Sequence, residues 1–181
     1  MKFKISEEYA KQLGLRFFED INRKKQYIRL QLNEHVRSVF KKLSKVDYIP
    51  TIDENYQFSC ATSDGQPIDE LSSSQSMISV LSVVAGTISL GQKIVAEDNK
   101  QSDIIETVPL VMDAPISAFD SDRIDSFSDT IPSIAEQLIL LVKNPEGERV
   151  FNRLKNKIGK HYIIENVVTG DTTRSKIVEV E

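Results

Sequence analysis

Leu71-Ser72-Ser73-Ser74-Gln75, then Pro109-Leu110-Val111-Met112 closing on Asp113, then Ser117-Ala118-Phe119-Asp120, decide the fold of this chain of 181 residues. The first stretch reads as a serine-rich turn opening a helix, the second as a buried strand ending in a carboxylate, and the third as a tight polar turn with a second carboxylate. The first turn of a helix presents unpaired amide hydrogens and partial positive charge. Ser72, Ser73 and Ser74 therefore either cap the helix in the ordinary way or offer donors to an oxyanion or phosphate. An aspartate at the carboxyl end of a parallel strand stands where ligands bind in open α/β sheets, so Asp113 is either a metal-holding carboxylate or a plain cap. No phosphate-cradling Gly-x-x-x-x-Gly-Lys-Ser/Thr loop occurs in the sequence.

Working outward, residues 74–90 are serine, small aliphatics and glutamine with almost no charge, which predicts a helix buried on most sides. Residues 108–112 have no polar face and suit a parallel strand covered on both sides. Residues 122–131 predict a short helix closed by Pro132, and 137–142 a second apolar strand, giving a strand, helix, strand unit. Residues 145–157 predict a polar helix with Val150, Phe151 and Leu154 as its apolar side. Residues 162–168 and 175–180 flank Thr169-Gly170-Asp171, a hairpin signal. Residues 96–106 are acidic and polar, with a loop expected at Asn99-Lys100-Gln101-Ser102.

Upstream, residues 7–45 contain no proline, and Leu32, Val36, Val39, Phe40 and Leu43 recur at helical spacing. Tyr9, Leu13, Phe17 and Ile21 step by four. This predicts one long helix or a helix pair, with Gly14 as a place for a break or bend. Such a helix either packs on the domain or continues outward in a coiled coil. Tyr48-Ile49-Pro50 ends it. Thr51-Ile52-Asp53 and residues 56–62 then predict two antiparallel strands, with Asp53-Glu54-Asn55 and Ser63-Asp64-Gly65 as turns. The expected organisation is a helical arm over residues 1–47 and a lobe over residues 48–181.

Composition narrows the function classes. The net charge of −4 divides unevenly: residues 1–50 carry 12 Lys and Arg against 6 Asp and Glu, and the remainder is acidic. The basic arm is either a solvated helix face or a surface for phosphates. Cys60 is the one cysteine, so a small strand residue is expected and an internal disulfide or Cys-based zinc chemistry is excluded. His35 and His161 have no metal-like spacing. No apolar stretch reads as the roughly 18 residues that span a bilayer, and Met-Lys-Phe-Lys-Ile-Ser lacks a secretory apolar segment, so a cytoplasmic protein without a membrane partner is expected.

Together these residues carry a resemblance. Leu71-Ser72-Ser73-Ser74-Gln75 resembles the Leu-Ser-Gly-Gly-Gln/Glu signature of ABC-type ATPases, Leu110-Val111-Met112-Asp113 their Walker B strand, and Ser117-Ala118-Phe119-Asp120 their D-loop. The pattern is most similar to the SMC-like group, which includes DNA repair and DNA sulfur modification ATPases. There a long coiled coil splits the ATP-binding head, and this chain looks like its carboxyl-terminal half.

The resemblance implies an α/β fold: the C-terminal lobe of a P-loop ABC-type ATPase head, with a mainly parallel sheet and flanking helices, preceded by a long helix at the base of a coiled coil. It implies ATP and Mg²⁺ as cofactors, with Asp113 on the metal, Asp113 and Asp120 as the catalytic carboxylates, and Ser72, Ser73, Ser74 and Gln75 at a nucleotide. The implied partners are an N-terminal lobe bearing the missing Walker A loop, a second head in a homodimer, and DNA. The implied function is ATP hydrolysis at a head–head interface to act on DNA in repair, modification or phage defence.

Three departures set an alternative beside it. Ser73 stands where the signature has glycine, Ala114 where many members place a water-orienting glutamate, and Lys143 and Asn144 near the expected switch histidine. A degenerate ATPase, used as a nucleotide-gated dimerisation or scaffold module, is compatible with the same residues.

Overall fold

A computed structural model describes residues 2–98, 109–169 and 172–180. In chain order the elements are α1 (Lys2–Leu43), β1 (Tyr48–Ile52), β2 (Phe58–Thr62), α2 (Ser73–Asp98), β3 (Leu110–Asp113), α3 (Ser121–Thr130), β4 (Leu138–Leu141), α4 (Glu146–Leu154), β5 (His161–Thr169) and β6 (Thr172–Val180). The expected loop at residues 99–102, Val108, and Gly170-Asp171 of the hairpin turn lie outside the described residues.

The arm is one helix of 42 residues, about 60 Å long at 1.5 Å per residue. It runs unbroken through Gly14, where the sequence allowed a bend. One glycine in a helix costs only about 1 kcal/mol against alanine, and a run without proline carries the helix past it. Tyr9, Leu13, Phe17 and Ile21 are all exposed, whereas Leu32, Val36, Phe40 and Leu43 are buried. The helix stops at Leu43, and Tyr48-Ile49-Pro50, expected only to end it, belongs to β1. Pro50 lacks an amide hydrogen, and β1 is bonded to β2 alone among the described strands, so its missing donor falls on a sheet edge.

A single amide side chain docks this hairpin on α1. Asn33 is buried; its Nδ2 donates to the Ile52 carbonyl at 2.9 Å, and its Oδ1 accepts from the Ile52 N–H at 2.7 Å. Arg37 Nε adds a bond to the Pro50 carbonyl at 3.0 Å. These bonds occupy backbone groups that a two-stranded sheet leaves open at its edge, so they fix the hairpin against the helix.

Helix α2 packs along α1 at close range. A Cβ built on Gly86 would stand 2.9 Å from Val36 Cγ2 and 3.3 Å from the Val36 backbone nitrogen. Only glycine leaves room for that approach. By length and composition alone, Ser73–Ala96 is apolar enough to cross a membrane, which corrects the expectation that no such stretch exists. Its apolar residues serve a different purpose, since Ile78, Leu81, Ala85 and Leu90 are core residues here.

The sheets differ from the expected mainly parallel one. Among the described residues there are three separate pairs of strands: β1 with β2 and β5 with β6 are antiparallel, and only β3 with β4 is parallel. The β3–α3–β4 unit is as expected. Met112 of β3 joins Ile78, Leu81, Phe40, Ile124, Phe127 and Val150 in the main core. The other face of the pair is open: Val111 is 57% exposed, Ile139 45% and Leu141 39%. Among the described residues the expected cover on both sides is therefore not found. A parallel pair is ordinarily covered on both faces, and here helices cover one.

Helices α3 and α4 are tied by ion pairs. Arg149 Nε donates to Asp125 at 2.7 Å, and Arg153 Nη2 donates to Asp129 at 2.6 Å. These hydrogen bonds hold the Asp125 and Asp129 carboxyls below the usual carboxylate range. Cys60 is buried and unpaired in β2, as expected, and burial pushes its thiol up. His35 lies within hydrogen-bond reach of Ser89 Oγ, and His161 stacks on Phe151 with ring centroids 4.6 Å apart.

Two outcomes follow from this packing. Gly86→Ala gains about 1 kcal/mol of helix propensity, but overpacking of this kind costs about 1–3 kcal/mol, so urea denaturation should show a net loss of stability; a gain would mean that α1 and α2 are not held this close. Because the folded carboxyl values of Asp125 and Asp129 lie below their unfolded ones, their contribution is present above roughly pH 4 and lost as pH falls through the folded values. The denaturation midpoint should therefore fall on acidification below about pH 4, and less steeply in the Arg149→Ala/Arg153→Ala variant.

Candidate functional site

The serine turn is a reciprocal cap. Ser72 Oγ accepts from the Gln75 N–H at 3.3 Å, while Gln75 Oε1 accepts from the Ser72 N–H at 2.8 Å. That is the capping-box arrangement, with a Ser followed three residues later by Gln. The Ser76 N–H donates to the Ser72 carbonyl at 2.8 Å, the first bond of the helix. The helix thus begins at Ser73, so Ser73 and Ser74 lie inside it rather than ahead of it. Their backbone N–H groups have no hydrogen-bond partner among the described residues, and Ser73 is exposed. Ser74 Oγ sits 3.3 Å from Ser72 Oγ. Ser72 and Gln75 therefore cap the helix in the ordinary way; at its positive end Ser73 is exposed and Ser74 is buried.

Asp113 ends β3 on the open face. It alternates with Val111, and its register partner is Leu141. The carboxylate is exposed and makes no hydrogen bond or ion pair among the described residues, so its oxygens are available. A single free carboxylate suits Mg²⁺, which usually keeps waters and shares its shell between one or two carboxylates and substrate phosphates. No group of three His, Cys, Asp or Glu side chains that could hold a metal occurs among the described residues.

The chain turns sharply after Asp113. Ala114 adopts a left-handed conformation with φ of +48°, which costs an alanine about 1–2 kcal/mol. Its N–H donates to the Leu141 carbonyl at 2.9 Å, extending the ladder one step, and the Ser117 N–H returns to the Ala114 carbonyl at 3.2 Å. Asp120 then caps α3: Oδ1 accepts from the Arg123 N–H at 2.9 Å and Oδ2 from Arg123 Nη1 at 2.9 Å. The backbone bond from Arg123 and the nearby guanidinium lower the Asp120 carboxyl below its ordinary value. Each oxygen of Asp120 is therefore already engaged.

The ends of β3 and β4 meet at a small cleft lined by Ala114, Ile116, Ser117, Val142, Lys143 and Glu146. Glu146 Oε2 is enclosed and has no hydrogen-bond partner. Reading the sequence passed over this glutamate. The signal available was its place just beyond the end of an apolar strand, in Asn144-Pro145-Glu146-Gly147, but only the fold brings it beside Ala114. The structure therefore gathers Asp113, Ala114 and the turn after β4 at one end of the parallel pair. No hydrogen bond or ion pair joins the serine turn to Asp113 or Asp120 among the described residues.

No protein-family model matches this sequence, and no curated protein matches it. Solved structures do match its fold. A structure from work on the ATP-driven dimerization and DNA-stimulated activation of SMC ATPases is 14% identical, with a TM-score of 0.56 over 88% of this chain and 89% of that one. The SMC head domain from Thermotoga maritima is 16% identical, with a TM-score of 0.52 over 90% of this chain and 52% of that one. An Smc head with an extended coiled coil, bound to the C-terminal domain of ScpA derived from Pyrococcus furiosus, is 14% identical, with a TM-score of 0.56 over 95% of this chain and 42% of that one. The chain spans about half the length of each of the last two. With the signature-like turn, the β3 carboxylate and the long leading helix in their order along the chain, its fold is that of the carboxyl-terminal half of an SMC-like ATPase head.

Proposed function

We infer that this chain supplies one side of a composite ATP site, as the carboxyl-terminal part of an SMC-like ATPase acting on DNA. The observation that carries this reading is the open face of the β3–β4 pair, where exposed Val111, Ile139 and Leu141 lead to an unpartnered Asp113. An apolar strip of that kind on a parallel sheet asks for cover. A lobe bearing a Gly-x-x-x-x-Gly-Lys-Ser/Thr loop would supply both the cover and the phosphate cradle that this sequence lacks.

In that assembly Asp113 holds Mg²⁺, directly or through water. Held there, the ion would supply positive charge to offset that developing on phosphate oxygens. The free Ser73 and Ser74 amides, with the hydroxyls of Ser72, Ser73 and Ser74, meet the γ-phosphate of a nucleotide held by a second head, and Gln75 keeps the turn in shape. Ser73 puts a Cβ and a hydroxyl where the resembling signature has glycine, so contact there depends on the hydroxyl as well as on the backbone. Asp120, fixed by Arg123, shapes the loop between Asp113 and α3. Residues 1–47 form the base of a coiled coil whose exposed stripe from Tyr9 to Ile21 pairs with an antiparallel helix. DNA is the proposed polyanion for this assembly, with the basic arm as its first candidate contact.

Titration calorimetry with Mg²⁺ and ATP tests the division of labour. The chain alone should give no measurable binding, and tight binding to it would sink the composite-site reading. Together with the Walker A-bearing lobe, ATP should bind and turn over, and Asp113→Ala should abolish turnover. Val111→Asp should leave the isolated chain folded, because the position is exposed, yet block its association with that lobe; unchanged association would place the lobe elsewhere. ATP-driven dimerisation without turnover in the unaltered assembly would favour the scaffold alternative that Ser73 and Ala114 suggest.

A further inference from the structure

The β5–β6 hairpin takes no part in the site above. Its strands are bonded to each other and to no other described strand. Tyr162, Ile164, Val168 and Ile177 lie on one face of it and Ile163 and Val167 on the other, and all of them are exposed. Two strands with apolar residues on both faces are marginal in water; a third strand, or packing on another element, is what makes such a sheet stable.

The two free edges differ. β6 carries Arg174, Lys176 and Glu179, charges of the kind that keep an edge strand from pairing with another chain. β5 has no Lys, Arg, Pro or Gly, and Glu165 is its one acid. Tyr162, Ile163, Ile164, Val167 and Val168 are strong strand formers. The free edge of β5 is therefore the one suited to receive a strand through backbone hydrogen bonds, with alternate side chains choosing the partner.

We propose that this edge takes a strand of the Walker A-bearing lobe, with a Lys or Arg set opposite Glu165. The proposal rests on the two-lobe reading above and adds a second surface to it. Charge argues against a second copy of this chain. Glu165 is the middle residue of β5, so pairing two β5 strands along their whole length sets Glu165 against Glu165, both antiparallel and in-register parallel. Lys176 is the middle residue of β6 and meets itself in the same way. Like charges directly opposite destabilise a pair of strands. Glu165 faces Lys176 across the hairpin without an ion pair between them, so its charge is left for a cation on the incoming strand.

Area argues for the same occupant. Half-exposed Val111, Ile139 and Leu141 alone fall well short of the roughly 800 Å² per partner of a stable interface, and a strand on β5 enlarges it. The base of the hairpin is tied to the helices behind the β3–β4 pair: His161 stacks on Phe151 of α4, and Arg149 and Arg153 bind α4 to α3. One lobe thus meets both surfaces in a fixed arrangement.

Amide hydrogen exchange on the full chain, alone and with the Walker A-bearing lobe but without nucleotide, reads the edge. In a strand with one free edge, alternate amides point away from its partner. Those of β5 should exchange quickly in the chain alone and about 10-fold or more slower with the lobe bound, while those of β6 keep their rate. Ile164→Lys/Val168→Lys changes positions 59% and 70% exposed, so the Tm of the isolated chain should hold. Its association with the lobe should weaken by about 10-fold or more. Glu165→Lys should weaken it by about 2- to 5-fold, the scale of a cross-strand charge pair.

A lobe that associates while the β5 amides keep their rate overturns the proposal and leaves the composite-site reading in place. Association unchanged by both variants does the same. Slow β5 exchange in the chain alone that depends on its concentration gives the edge to a second copy and overturns the assignment. Protection of β5 by a lobe that then binds no ATP upholds the pairing and removes the ATPase reading. A lobe that does not associate at all overturns both.

Discussion

The approach of α1 to α2 at Gly86 is the contact from which the rest of the molecule is arranged. It sets the axis of α2 against the part of α1 that runs from Leu32 to Val36, and that same part carries Asn33, the side chain that docks the β1–β2 hairpin. The chain leaves the hairpin, enters the capping box at Ser72 and Gln75, and presents two free amides at the mouth of α2. On its other side α2 supplies Ile78 and Leu81 to the core that also receives Met112 of β3. One tight helix crossing therefore holds both the serine turn and the strand that ends in Asp113.

The second constraint is what the chain leaves uncovered. Val111, Ile139 and Leu141 are apolar and open, and α1 beyond Tyr27 toward the amino end keeps Tyr9, Leu13, Phe17 and Ile21 in solvent. Scattered apolar residues on a surface are ordinary, but aligned ones on a parallel strand pair and along a helix stripe mark surfaces that meet a partner. On the proposed function, one of these surfaces would take the other lobe and the other the returning helix. The covered face of the strand pair is set by α3 and α4, whose ion pairs keep the strand ends and the turn at Glu146 in one rigid group.

Much of this was legible in the sequence because periodicity and end signals are local. Leu32, Val36, Phe40 and Leu43 announce the buried stripe of α1, and Ser72 with Gln75 announces the start of α2. The β3–α3–β4 unit follows from two apolar runs around a helix closed by Pro132. What was not legible depends on partners distant in sequence. Val111 and Met112 are equally apolar, so composition alone suggests cover on both sides, whereas the fold covers only Met112. Among the described residues the parallel sheet is a single pair. Ala114 and Glu146 are separated by 32 positions, and only the parallel register of β3 and β4, with the tight return at Gly147, puts them at one cleft.

In the proposed divided site the serine turn and Asp113 serve nucleotides across an interface. Amide hydrogen exchange on the assembled head, with and without Mg²⁺ and ATP, tests this most directly. The account predicts slower exchange at the Ser73 and Ser74 amides when ATP brings two heads together, because those free donors then meet phosphate. Unchanged exchange at both amides in a head that is hydrolysing ATP would contradict it.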